Sequence, residues 1–137
     1  MASDFIRNNK IQAAIISYLK SKTSLTSVLA NGSDEIRENS WKGTTFKYPN
    51  VRVELVSNKP KRPGCPQDIE YNIQVFSESP SSLESDEIAG IIVDILHLKQ
   101  FTSNDIAFAS YASDVRPAFE VSETVWQSVC MMRATVS

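Results

Sequence analysis

The sequence holds one histidine, His97, and two cysteines, Cys65 and Cys130, separated from one another by more than thirty residues. A serine or cysteine nucleophile needs a base within hydrogen-bond reach, most often histidine, so any triad would have to be built on His97. No Gly-x-Ser-x-Gly turn presents a serine to it. His97 falls near the end of a helical pattern, where the negative end of the helix dipole favours a cation, and that placement accounts for it without catalysis. Metal binding needs clustered ligands, yet no Cys-x-x-Cys or His-x-x-x-His spacing occurs. The four glycines, Gly32, Gly43, Gly64 and Gly90, are scattered, so neither a phosphate-cradling loop nor a dinucleotide fingerprint can be written. Glu84, Asp86 and Glu87 could serve as general acid and base, but carboxylates at a helix start are already explained by the dipole. The residues predict no enzyme, no cofactor and no metal site.

The chain of 137 residues has the size of one domain, expected to span residues 1–137. Trp41, Trp126, Phe46, Phe76, Phe108 and Phe119 are the aromatic residues expected to fill its core. A net charge of −2 gives no global field that would recruit nucleic acid or an acidic membrane. Two cysteines do not make a disulfide framework, and both read as free thiols in a reducing compartment. The first ten residues lack the basic start and apolar stretch of a signal peptide, and no apolar run approaches the ~18 residues that cross a bilayer. The protein is expected to be cytosolic where it is made.

The elements follow from periodicity. Ser3 or Asp4 can cap a helix whose Ile11, Ala14, Ile15, Tyr18 and Leu19 recur at three- and four-residue spacing. A second helical turn over residues 25–30 should stop at Asn31-Gly32, where glycine takes a left-handed conformation. After a loop through Trp41 and Gly43 to Tyr48-Pro49, Val51, Val53 and Leu55 alternate with Arg52 and Glu54, as in a half-buried strand. Ile69, Tyr71, Ile73 and Val75 repeat the pattern, giving an antiparallel hairpin. Ser81 and Glu84 have capping-box spacing at the head of a helix over residues 81–98, with Ile88, Ile91, Ile92, Ile95 and Leu96 as its buried stripe. Strands are predicted at 106–111 and 124–135, with 115–121 irregular or at an edge because of Pro117. The fold class is α+β: a mixed, mainly antiparallel sheet of about four strands with two amphipathic helices on one face.

Two surface features stand out. The hairpin connection, residues 57–68, is far longer than the usual two to five and carries Lys59, Lys61 and Arg62 among three prolines that restrict its backbone. It reads either as a solvated loop or as an arm that contacts another subunit. In the last strand Trp126, Ser128, Cys130, Met132 and Ala134 alternate with Val125, Gln127, Val129, Met131 and Arg133, so both faces look largely apolar. Either the strand is buried on both sides or its second face meets another subunit. Phe76 and Tyr111, on the outer registers of their strands, point to the second choice. Lys59, Lys61, Arg62, Phe76, Tyr111 and Trp126 are therefore the candidate interface residues.

Taken in order, these features resemble the small tail-terminator or tail-completion proteins of tailed bacteriophages. The likeness rests on the N-terminal amphipathic helix, the Tyr48-Pro49-x-Val-x-Val start of the first long strand and the Val75-Phe76-Ser77 strand end. The helix over residues 81–98 and a closing strand led by Trp126 complete it. The resemblance implies a virion protein of the tail and neck, assembled in the host cytoplasm as a ring, usually six-fold, on the last ring of the tail tube. Its implied partners are other copies of itself, the tail tube protein, the head-tail connector and, in a contractile tail, the sheath. DNA would pass through the ring without specific binding, and mild acidity suits such a channel because basic walls bind phosphates. A head-completion or connector (stopper) protein is the alternative within the neck, although connectors of the adaptor type are mostly helical. A small-molecule enzyme of α+β fold is the alternative outside it, but no closed apolar pocket with converging polar groups can be assembled from these residues.

Overall fold

The computed structural model describes residues 5–30, 32–39, 47–60 and 65–137. Alternation in the sequence places Gln67, Ile69, Tyr71, Ile73, Val75 and Ser77 on one side of an eleven-residue strand, Gln67–Ser77, and all six are buried. This strand, β3, is flanked by β2 (Asn50–Lys59) and β6 (Val125–Val136), both antiparallel to it. Beyond β6 lie β5 (Ile106–Ser122) and β4 (Lys99–Ser103), and β1 (Ile36–Glu38) pairs in parallel with β2. The order is β1-β2-β3-β6-β5-β4.

Helix α1 (Asn8–Lys20) buries Ile11, Ala14, Ile15 and Leu19, and α3 (Leu83–Leu96) buries Ile88, Ala89, Ile92, Ile95 and Leu96. These meet Val51, Val53, Ile69, Tyr71, Ile73, Val75, Met132 and Val136 in one core. α1 touches β1 and β2 near one edge of the sheet and β4 at the other, so the sheet curls round it. The start of α1 is fixed by side chains: Gln67 Oε1 accepts the Ile6 N–H at 2.7 Å, while the Gln67 and Asn58 amides both donate to the Ile6 carbonyl.

The sheet has six strands where about four were expected. β1 is too short to show a period. β4 has one aromatic residue facing in, Phe101, which stacks on Tyr18 and Phe108 with ring centroids 3.8 and 4.8 Å away. What makes β4 a strand is the turn after it: Asn104 and Asp105 both take positive φ (49° and 65°), the two-residue hairpin geometry that short polar side chains tolerate. β5 does not break at Pro117. It runs through three bulges, one of them between Arg116 and Phe119, and a bulge is where a residue without an N–H does least harm to a ladder.

Helix boundaries also shift. Arg7 holds the N-cap position of α1; Ser3 and Asp4, expected there, lie outside the described residues. A four-residue helix, α2 (Thr23–Thr26), replaces the turn expected over residues 25–30, and Gly32 takes the left-handed φ of 60° as it opens a 3-10 turn over Gly32–Glu35. No capping box closes α3: Glu84 accepts the Ser77 hydroxyl from the end of β3, and Ser81 Oγ accepts the Leu83 N–H at 3.2 Å. The core is mainly aliphatic. Of the aromatics expected in it only Phe108 is fully enclosed; Phe76, Phe119 and Trp126 are half-buried, and Trp41 and Phe46 lie outside the described residues.

Ile73 is fully enclosed at the centre of the central strand. Ile73→Ala is expected to lower unfolding free energy by about 2–5 kcal/mol, read as a lower denaturation midpoint at unchanged slope.

Candidate functional site

Of the residues that could do chemistry, Glu84, Asp86, His97 and Cys130 are engaged in holding the fold, while Glu87 and Cys65 are exposed. His97 sits at the C-cap of α3, the helix end at which the sequence placed it. Its Nδ1 accepts the backbone N–H of Ala112 on β5 at 2.9 Å, which assigns the proton of the neutral ring to Nε2. Asp86, in the first turn of α3, uses Oδ1 to accept both the Ala118 N–H and the Ser128 hydroxyl, each at 2.8 Å. Eleven residues, about 16 Å of helix, separate Asp86 from His97, so they form no catalytic dyad. Both anchor α3 to the margin of β5 that β4 leaves unpaired beyond Ser110.

Cys130 is buried and its Sγ lies 3.5 Å from the Ala89 carbonyl; burial pushes the thiol up to about 12, so no reactive thiolate exists near neutral pH. Burial also holds the Tyr71 phenol well above its usual pKa, so it stays protonated, and its hydroxyl lies 2.6 Å from that of Ser110. Among the described residues no three of His, Cys, Asp and Glu gather as metal ligands. No helix among them is long and apolar enough to cross a membrane.

What remains is surface. The face of the sheet away from the helices carries Glu54, Asp68, Glu70, Asn72, Gln74, Gln127, Arg133 and Thr135 with Phe76, Tyr111 and Met131 among them, so it is more polar than the face read from β6. Val129, one source of that reading, is buried between Gln74 and Arg116, and the Arg116 guanidinium lies 4.5 Å from the Phe119 ring centre. Arg52, read as outward-facing, is buried too, with its guanidinium 3.4 Å from the Glu35 carbonyl oxygen.

The sequence-derived interface residues do not form one patch. Lys59, opposite Asp68, and Tyr111, opposite Arg133, line a common groove with Asp68, Glu70 and Arg133. The Arg133–Glu70 pair there, at 3.5 Å and well exposed, adds little stability. Phe76 shares this face but sits at the other end, between Asn50 and Gln127. Trp126 is on the helix-side register, paired with Ser77 and Glu120. Lys61 and Arg62 lie outside the described residues. The connection itself is shorter than the expected 57–68, because the ladder continues to Lys59 and resumes at Gln67 after a register shift between Leu55 and Ser57. Sequence reasoning missed the exposed apolar residues of the rim: Leu83, Leu98, Val115 and Val121. Leu98 also holds a φ of 56°, a strained conformation for leucine.

In fold the chain is similar to a chain in the virion of a native gene transfer agent particle, with a TM-score of 0.73 over 92% of this chain and 93% of that one, at 13% identity. A second solved protein, whose name states no function, matches with a TM-score of 0.68 over 96% of each chain at 11% identity. No family model and no curated protein matches the sequence. At such identities the likeness is one of fold, and its coverage runs nearly from end to end.

Two outcomes follow from the anchoring contacts. Iodoacetamide at mildly alkaline pH should label exposed Cys65 and leave Cys130 untouched until denaturant is added; rapid native labelling of both would contradict the burial argument. Asp86→Ala should cost on the order of 2 kcal/mol and speed amide exchange at Ala118, while exchange in β3 falls only with the global loss of stability.

Proposed function

We propose that this chain is a structural subunit of a phage-type virion, which assembles as a six-fold ring on the end of the tail tube, ends tube polymerisation and gives the head connector a docking surface. The observation that carries the reading is the end-to-end fold likeness to a chain of a gene transfer agent virion. Its support from the interior is chemical: His97, Asp86, Glu84, Cys130 and Tyr71 are all engaged in internal contacts, so function falls to surfaces.

The mainly polar outer face suits contact with water and with other polar protein surfaces, and the net charge of −2 suits a ring through which DNA slides. Lys59 with Lys61 and Arg62 forms the basic arm that reaches the tube protein or a neighbouring subunit, with sheath as a further neighbour if the tail contracts. Purified chain added to polymerising tube protein should cap the tubes and fix their length, seen by electron microscopy as a collar at one end. Tubes that elongate unchanged, with no chain bound, would refute the reading. Lys61→Ala/Arg62→Ala should keep the melting temperature and weaken capping; unaltered capping would remove the arm from the account.

A further inference from the structure

Charge is divided between the two long helices more sharply than the net value shows. Residues 5–30 carry Arg7, Lys10, Lys20 and Lys22 and no acidic residue, whereas α3 carries Glu84, Asp86, Glu87 and Asp94 and no Lys or Arg. On α1 the exposed residues Lys10, Ala13, Ser17 and Lys20 recur at intervals of three, four and three, which places them on one stripe. Two small residues lie between two lysines about 15 Å apart.

The solvent side of α3 is the counterpart. Leu83, Glu87, Gly90 and Asp94 are all exposed and recur at intervals of four, three and four, with Glu84 beside them. Glu84 already accepts the Ser77 hydroxyl, so the free carboxylates of the stripe are Glu87 and Asp94, about 10 Å apart on either side of Gly90. Gly90 is the informative member. A mid-helix glycine costs about 1 kcal/mol relative to alanine. Close packing within the chain does not explain it, since nothing lies within 4 Å of the place a Cβ would occupy. Lys10, Lys20, Glu87 and Asp94 make no ion pair with any described residue.

We infer that the α1 stripe of one copy docks on the α3 stripe of the next, with Ala13 and Ser17 against Gly90 and the lysines against the carboxylates. The occupant is a second copy because the two stripes are opposite in charge and alike in their small centres, and both belong to this chain. Two different surfaces of one chain make a head-to-tail contact, which closes into a ring or propagates. This deepens the ring reading and rests on it. Exposed Leu83 adds an apolar contact at the end of the α3 stripe.

The test uses the full chain at low ionic strength, followed by size exclusion with light scattering. Lys10→Glu/Lys20→Glu makes both stripes acidic, and Glu87→Lys/Asp94→Lys makes both basic, so each variant alone should associate at least about ten-fold more weakly than wild type. Mixed in equal amounts, each variant's α1 meets the other's α3 with opposite charge, and assemblies of alternating composition should form. Gly90→Leu, with room for its side chain in the isolated fold, should melt no lower than wild type and fail to assemble. Wild-type assembly that all three variants share would overturn the proposed contact and leave a ring through other surfaces standing. A mixture that stays as two separate populations would overturn it as well. A wild type that stays monomeric alone and with tube protein would overturn both the contact and the ring.

Discussion

The alternation along β3, with a ladder partner on each side, is the constraint on which the rest depends. It commits one face of the sheet to apolar burial and leaves the other to Asp68, Glu70, Asn72 and Gln74, of which Glu70 pairs with Arg133 and Asn72 with Glu54. Both long helices must then lie on the same face. Each keeps one side in solvent, and the sheet curls until α1 touches both of its edges. The fold thus shows its environment a mainly polar sheet face, two helix flanks and a rim with exposed leucine and valine.

The rim is restrained. An unpaired strand margin invites pairing with any other chain, and β5 beyond Ser110 has such a margin. Bulges and Pro117 interrupt it, and α3 supplies His97 and Asp86 as acceptors for two of its amides, those of Ala112 and Ala118. Residues whose types suggest acid–base chemistry are spent on suppressing indiscriminate β-pairing. The helix flanks, where charge can select a partner, are the surface on which copies are proposed to meet.

Much of this was legible in the sequence. The stripes of α1 and α3 and the alternation of β2 and β3 report burial directly, so the α+β class and the single-faced packing follow from them. β1 and β4 were hidden because three residues carry no period and β4 has only Phe101 facing the core; the signal for β4 was Asn104-Asp105, a turn dipeptide. The second face of β6 is less apolar than it reads, because Val129 is buried between its ladder neighbours Gln74 and Arg116 and the strands beside it carry mostly polar residues there. Of the interface residues, Lys59 and Tyr111 share a groove, but Trp126 faces the helices, since a residue at a strand's end does not announce which register it joins. The stripes on α1 and α3 needed the fold: only there does Gly90 stand open to solvent.

The central claim is that this chain acts through contacts with copies of itself. Native mass spectrometry of the unmodified protein, alone and with tube protein, tests it most directly. The account predicts one closed stoichiometry well above the monomer, lost as ionic strength rises. Single chains under every condition, with none bound to tube protein, would contradict it.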